Sequence, residues 1–183
     1  MNQVRSVTVD VVVDSEIFYN FSVFDGLYRK RGLFNAVVFA TVMSIFALVC
    51  IIMLGDTFLG SLLFIIGWSF PAFRAWNCVR FAKAQIKFFD LDNPKTVYSL
   101  HFSDEPDGIT VTNHGGGDDP LVYKWEDIHK VYRTRGCVYF FVLPTKAYLL
   151  PDGQAIEGTE ALWQLIKANL PEHKVQDRRK NKI

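Results

Sequence analysis

Apolar positions follow three different rhythms along this chain. Residues 7, 9, 11 and 13 are all valine and alternate with Thr8, Asp10 and Val12. A period of two in β-branched residues predicts a strand over 5–13. Asp14 or Ser15 then offers the N-cap of a short helix, in which Ile17, Phe21, Phe24 and Tyr28 recur at helical spacing. Next the polar positions disappear. Residues 33–54 form a run of 22 without a charge, and after Gly55-Asp56 residues 57–73 add 17 more, with Trp76 just beyond Arg74. At 1.5 Å per helical residue the two runs reach about 33 and 26 Å, against a hydrocarbon core of about 30 Å. This predicts a transmembrane hairpin with spans 33–54 and 57–76, in which Pro71 bends or ends the second helix near the interface.

From residue 95 the alternation returns, with turn signals every eight to twelve residues. Tyr98, Leu100 and Phe102 share one face, then Ile109 and Val111, then Leu121, Tyr123 and Trp125. Further strands are expected at 131–133, 138–142 and 148–150. Pro106-Asp107-Gly108, the looser loop 114–120, Arg135-Gly136 and Pro144-Thr145-Lys146 supply the turns between them. Thr159 is the expected N-cap for a last helix with Leu162, Leu165, Ile166 and Leu170 on one face, stopped by Pro171. The chain thus divides into a strand and short helix (1–32), the two spans, a basic juxtamembrane segment (77–94), a β-rich domain (95–171) and a basic tail (172–183) expected to be disordered. The expected fold class is an α+β membrane protein. A two-helix hairpin is joined to a pleckstrin-homology-like (PH-like) seven-stranded antiparallel barrel or sandwich, capped by a C-terminal helix. A lone strand is not stable, so 5–13 must pair with strands beyond residue 95. The hairpin is then an insertion into the domain.

Charge sharpens this layout. Lys and Arg number 20 and Asp and Glu 19, for a net charge of +1, but the bases cluster. Arg29, Lys30 and Arg31 precede the first span, Arg74, Arg80, Lys83 and Lys87 follow the second, and the connecting loop holds only Asp56. The positive-inside rule puts both termini in the cytoplasm, with Trp68 and Trp76 as an interfacial aromatic belt. Residues 1–30 contain no leading apolar core, so the first span is expected to act as its own insertion signal.

Candidate chemistry is sparse. Cys50, Cys78 and Cys137 have no metal-ligand spacing and cannot all pair. Glu126-Asp127 reads as a turn between the core residues Trp125 and Ile128, because neighbouring strand residues point to opposite faces. The glycines and acids of 114–120 lack the helix start and cation of a phosphate loop. His101, His129 and His173 are isolated, and no serine or cysteine has an identifiable base. The bases are better explained by a membrane than by nucleic acid. No cofactor, metal site or catalytic residue is expected.

Three runs carry a family resemblance: GITVT at 108–112, WEDIHKVYRT at 125–134 and YFFVLPTKAYLLP at 139–151, with a terminal helix over 157–170. With the hairpin, they make the chain resemble the YcxB-like bacterial membrane proteins. Asp152-Gly153 departs from that pattern, in which a lysine or arginine follows the proline. The resemblance implies two spans and a PH-like domain, and no reaction or ligand. The expected role is non-enzymatic: a scaffold at the bacterial inner membrane, in contact with the lipid bilayer and a protein partner, with envelope sensing as an extension of that role. The alternative is an accessory or immunity-type protein whose spans act on another membrane protein, for which Gly60, Ser61 and Gly67 are the suggestive residues. An enzyme on lipid-phase substrates would need a polar cluster in the spans, where Asn35, Thr41, Ser44 and Ser69 are scattered and uncharged.

Overall fold

A computed structural model describes residues 6–29, 31–94, 96–105, 108–114 and 119–179. Lys30, Pro106-Asp107 of the expected turn, 115–118 of the expected loop, and Lys180 and Lys182 of the tail lie outside the described residues. The chain forms two compact units. One comprises the N-terminal residues through Ile17 together with everything from Asp90 onward, and the other is Phe18–Phe89.

The first unit holds two four-stranded sheets. The valine alternation forms β1 (Ser6–Val12), with Val7, Val9 and Val11 fully buried. It pairs antiparallel with β2 (Thr96–Ser103), so Val9 lies opposite Leu100 and Val12 opposite Thr96. Strands β3 (Ile109–Asn113) and β4 (Leu121–Tyr123) complete the order β1-β2-β3-β4. The second sheet contains β5 (Lys130–Arg133), β6 (Cys137–Leu143), β7 (Lys146–Pro151) and β8 (Val175–Asp177) in the order β7-β6-β5-β8. Residues Cys137 to Val142 of β6 are all buried, as an uninterrupted apolar run requires.

Aromatic rings join the sheets. Phe102 meets Phe140 edge-on at 5.4 Å, and Tyr98 meets Tyr148 at 5.2 Å. The Tyr98 hydroxyl donates to the Leu149 carbonyl at 3.0 Å and accepts from the Leu149 N–H at 2.8 Å, so β2 closes the backbone of β7 at that point. The edge of β1 is covered in the same manner. The Gln154 amide bonds both the N–H and the carbonyl of Val12, at 2.9 and 3.0 Å, and the Ile156 N–H reaches the Thr8 carbonyl at 3.0 Å. Covered edges cannot template pairing with another chain.

Four expectations about this unit are corrected. The two sheets do not close into a barrel, and eight strands rather than seven occur among the described residues. The eighth lies in the tail, which is not disordered through Arg179: β8 pairs parallel to β5, and the Arg178 N–H bonds the Arg133 carbonyl at 2.8 Å. Helix α4 (Thr159–Asn169) is capped by Gly158 at φ 93°, and Thr159 is its first residue. The Thr159 hydroxyl accepts from the Gly153 N–H instead. Trp125-Glu126-Asp127 forms a 3₁₀ turn with Trp125 and Ile128 buried.

In the second unit, helix α1 (Ser15–Val23, which starts in the first unit with Asp14 accepting from the Ile17 N–H) passes into a π-helical segment, Phe24–Arg29. Helices α2 (Gly32–Met53) and α3 (Thr57–Phe88) follow, both long and apolar enough to cross a membrane. Gly55 turns the chain at φ 67°, and the Asp56 carboxylate caps α3 by accepting from the Leu59 N–H at 2.9 Å. Pro71 neither ends nor bounds α3, which runs on for 17 residues to Phe88. Proline removes one N–H and crowds the carbonyl four residues earlier. That carbonyl belongs to Gly67.

Candidate functional site

The helix pair is built around small residues. Ala36, Ala40 and Ala47 of α2 are buried, at the alternating four- and seven-residue separations of a packed seam. Gly60, Gly67 and Pro71 are the buried counterparts on α3. A Cβ on Gly67 would stand 2.7 Å from the Met43 Cβ, and one on Gly60 would collide with Ile51 and lie 2.8 Å from the Ala47 carbonyl oxygen. The backbones meet only because these positions carry no side chain. Gly60 and Gly67 are therefore used within the hairpin, which leaves exposed Ser61 alone of the three residues that suggested contact with another protein's spans.

Most of the remaining helix surface is apolar and exposed. Phe34, Ile45, Phe46 and Leu48 on α2, and Phe58, Phe64, Ile65 and Phe73 on α3, each expose more than half their area. Three hydroxyls in this zone bond to their own helices: Thr41 to the Val37 carbonyl, Ser44 to Ala40 and Ser69 to Ile66, at 2.8–2.9 Å.

The residues expected to set topology take distinct positions. Trp68 donates from Nε1 to the Ser44 hydroxyl at 3.1 Å, about 16 Å from the start of α3. It joins α3 to α2 about a third of the way along α3. Trp76 is exposed, with the Arg80 guanidinium 6.0 Å from its ring centre. Arg29 pairs with Asp25 one turn earlier in the π-helical segment and is largely buried, so it is not a free surface cation. Arg31 precedes α2 at φ 52°. The Arg74 guanidinium packs against Gly32, with Nε 2.8 Å from where a Cβ would be.

That contact marks where the α2–α3 pairing ends. Beyond it α3 continues for about 21 Å, and the π-helical segment lies alongside. A Cβ on Gly26 would sit 2.7 Å from the Cys78 sulfur, so glycine permits the approach. A groove of about 690 Å³ opens between the two, lined among others by Phe21, Arg74, Asn77, Arg80, Phe81 and Gln85. π-Helical turns are uncommon and recur at functional sites.

The β-rich unit holds three polar clusters that sequence reasoning missed. The Ser99 hydroxyl donates to Asp10 at 2.5 Å and also meets His114 Nε2 at 2.7 Å. A serine nucleophile needs its proton directed at the imidazole and the carboxylate on the far ring nitrogen. Here the carboxylate takes the serine proton, on an exposed sheet face. Lys146 Nζ bonds the Tyr123 hydroxyl at 3.1 Å and lies over the Tyr148 ring. Burial pushes the Tyr148 hydroxyl up to about 12. Arg133 is buried against Trp163, its guanidinium 5.2 Å from the ring, and bonds Glu160 at 2.9 Å while Nε and Nη1 lack hydrogen-bond partners. That Arg133 bond holds the Glu160 carboxyl below its usual range. Burial raises the Cys137 thiol to about 12, which keeps it protonated and unreactive near neutral pH. Among the described residues, no three His, Cys, Asp or Glu side chains converge as metal ligands.

No family model, curated protein or solved structure matches the chain.

Proposed function

We propose that α2 and α3 lie in a lipid bilayer and that the chain is a membrane-anchored, non-catalytic interaction module of the YcxB-like, PH-like type. In this reading the β-rich unit faces the cytoplasm at a bacterial inner membrane and engages a protein partner there. The observation that carries it is the exposed apolar surface on both helices. Less than a quarter of each helix's most apolar 18-residue window is buried. A core helix of a soluble protein buries its apolar face instead. The back-bonded hydroxyls of Thr41, Ser44 and Ser69 support the same reading, because polar groups in hydrocarbon are best satisfied locally. The interaction role is supported by β4, an outer strand of its sheet on which Leu121 and Val122 are exposed, whereas the edge of β1 is covered by Gln154 and Ile156.

Confinement at a surface would raise the module's effective concentration for partners held at the same surface. Flotation of the full chain, refolded from detergent into phosphatidylcholine vesicles, tests the anchor. The chain is expected to stay with the vesicles after washing at pH 11. Release into the alkaline wash would remove the bilayer reading.

A further inference from the structure

We propose that the groove between the π-helical segment and α3 binds the headgroup of one anionic phospholipid, of the phosphatidylglycerol class. The proposal rests on the bilayer reading above and adds a specific ligand to it. Three observations converge. The groove is built, since Gly26 lets the π-helical segment close on Cys78, whose thiol reaches the Ser22 carbonyl at 3.7 Å. Its charge is positive: Asp25 is paired with Arg29, whereas Arg74 and Arg80 form no ion pair with a carboxylate among the described residues. Its depth fits a headgroup. Arg74 abuts the first residue of α2, and Arg80 lies about 9 Å further along α3. A headgroup layer is about 5–8 Å thick on each side of the hydrocarbon core.

The polarity along the groove suits the order of atoms in a lipid. A phosphodiester seated between the levels of Arg74 and Arg80 has a guanidinium on either side of it along α3, each a matched donor for phosphate oxygens, and Asn77 at its own level. A hydroxylated headgroup extending outward from it meets Gln85, whose side-chain amide, like that of Asn77, is unbonded among the described residues. A choline headgroup would bring a cation and no hydrogen-bond donor to the same place. The volume of about 690 Å³ accommodates a glycerol phosphate with room for water.

Native mass spectrometry of the full chain in an uncharged maltoside detergent, titrated with phosphatidylglycerol or with phosphatidylcholine of the same acyl chains, tests this. One phosphatidylglycerol is expected to bind at least tenfold more tightly than phosphatidylcholine. The double substitution Arg74→Gln, Arg80→Gln should abolish that preference, and Lys87→Gln, outside the groove lining, should keep it. Ala84→Trp fills the groove at an exposed helix position without altering a charge, and should weaken binding to a similar extent. Equal binding of the two lipids, or full binding by both groove variants, overturns the proposal. So does equal affinity for free glycerol 3-phosphate, because the occupant would then not be a lipid. Vesicle flotation of the same samples separates the outcomes. A chain that floats but shows no preference loses only the lipid site, whereas a chain that does not float loses the anchor as well.

Discussion

Single positions decide how closely the two long helices approach. Gly67 faces Met43 with no space for a β-carbon, so Gly67→Val must push the backbones apart or distort side chains. The expected cost is about 1–3 kcal/mol, read as a lower thermal midpoint for the solubilised chain by circular dichroism at 222 nm. An unchanged midpoint would mean that the seam does not govern the packing of α2 on α3. Gly60 and Gly67 were legible as small residues seven apart, but their direction was not. A glycine looks the same in sequence whether it faces an intramolecular neighbour or another protein. Trp68 shows the same limit, since its role depends on Ser44, 24 residues earlier, reaching its indole N–H. Arg133 is the hardest case. Its strand reads as ordinary alternation, and only the packing of Trp163 and Glu160 against it makes the cation a buried one.

Elements with a long, uniform rhythm were readable, and short ones defined by a distant partner were not. The valine alternation predicted a strand over 5–13, and β1 runs over Ser6–Val12. The run at 33–54 lies within one residue of α2 at each end. The strand β8 has three residues, too few to display a period, and exists because β5 offers an edge. Pro71 was expected to bend or end its helix, and α3 does not end there but runs on to Phe88.

A pH dependence follows for β8. The Arg179 guanidinium holds the Asp177 carboxyl down to about 2, below the ordinary value of about 3.9. A carboxylate with a depressed pKa stabilises the folded state above its unfolded pKa and loses that contribution as pH falls through the folded one. Both groups are partly solvent-exposed, so the effect is small and local. Pairing of Val175–Asp177 with β5 is expected to weaken between about pH 4 and 2. Amide exchange, corrected for the intrinsic pH dependence of exchange, should then lose protection in β8 before β6. Equal loss in both strands, or none in β8, would argue against this role for Asp177.

On the scale of the molecule, the chain leaves one sheet and returns to it at adjacent points. Val12 at the end of β1 lies opposite Thr96 at the start of β2, with the entire helical unit between them in sequence. The hairpin is thus inserted into the β-rich fold. The valine strand made that insertion legible from the sequence alone, because a strand at 5–13 needs partners that occur only beyond residue 95. Charge suggested the orientation but could not establish it, because the positive-inside rule counts residues that here also pair internally, as Arg29 does with Asp25. The most direct test of the proposed anchor is site-specific thiol labelling in a cysteine-free background. Asp56→Cys, in the loop between α2 and α3, and Asn169→Cys, at the end of α4, would be treated in intact bacterial cells with a membrane-impermeant maleimide. Labelling at position 56 in intact cells, and at 169 only after permeabilisation, is the expected result. Labelling at 169 in intact cells, or protection of both positions until the cells are opened, would contradict a bilayer-spanning hairpin with the β-rich unit in the cytoplasm.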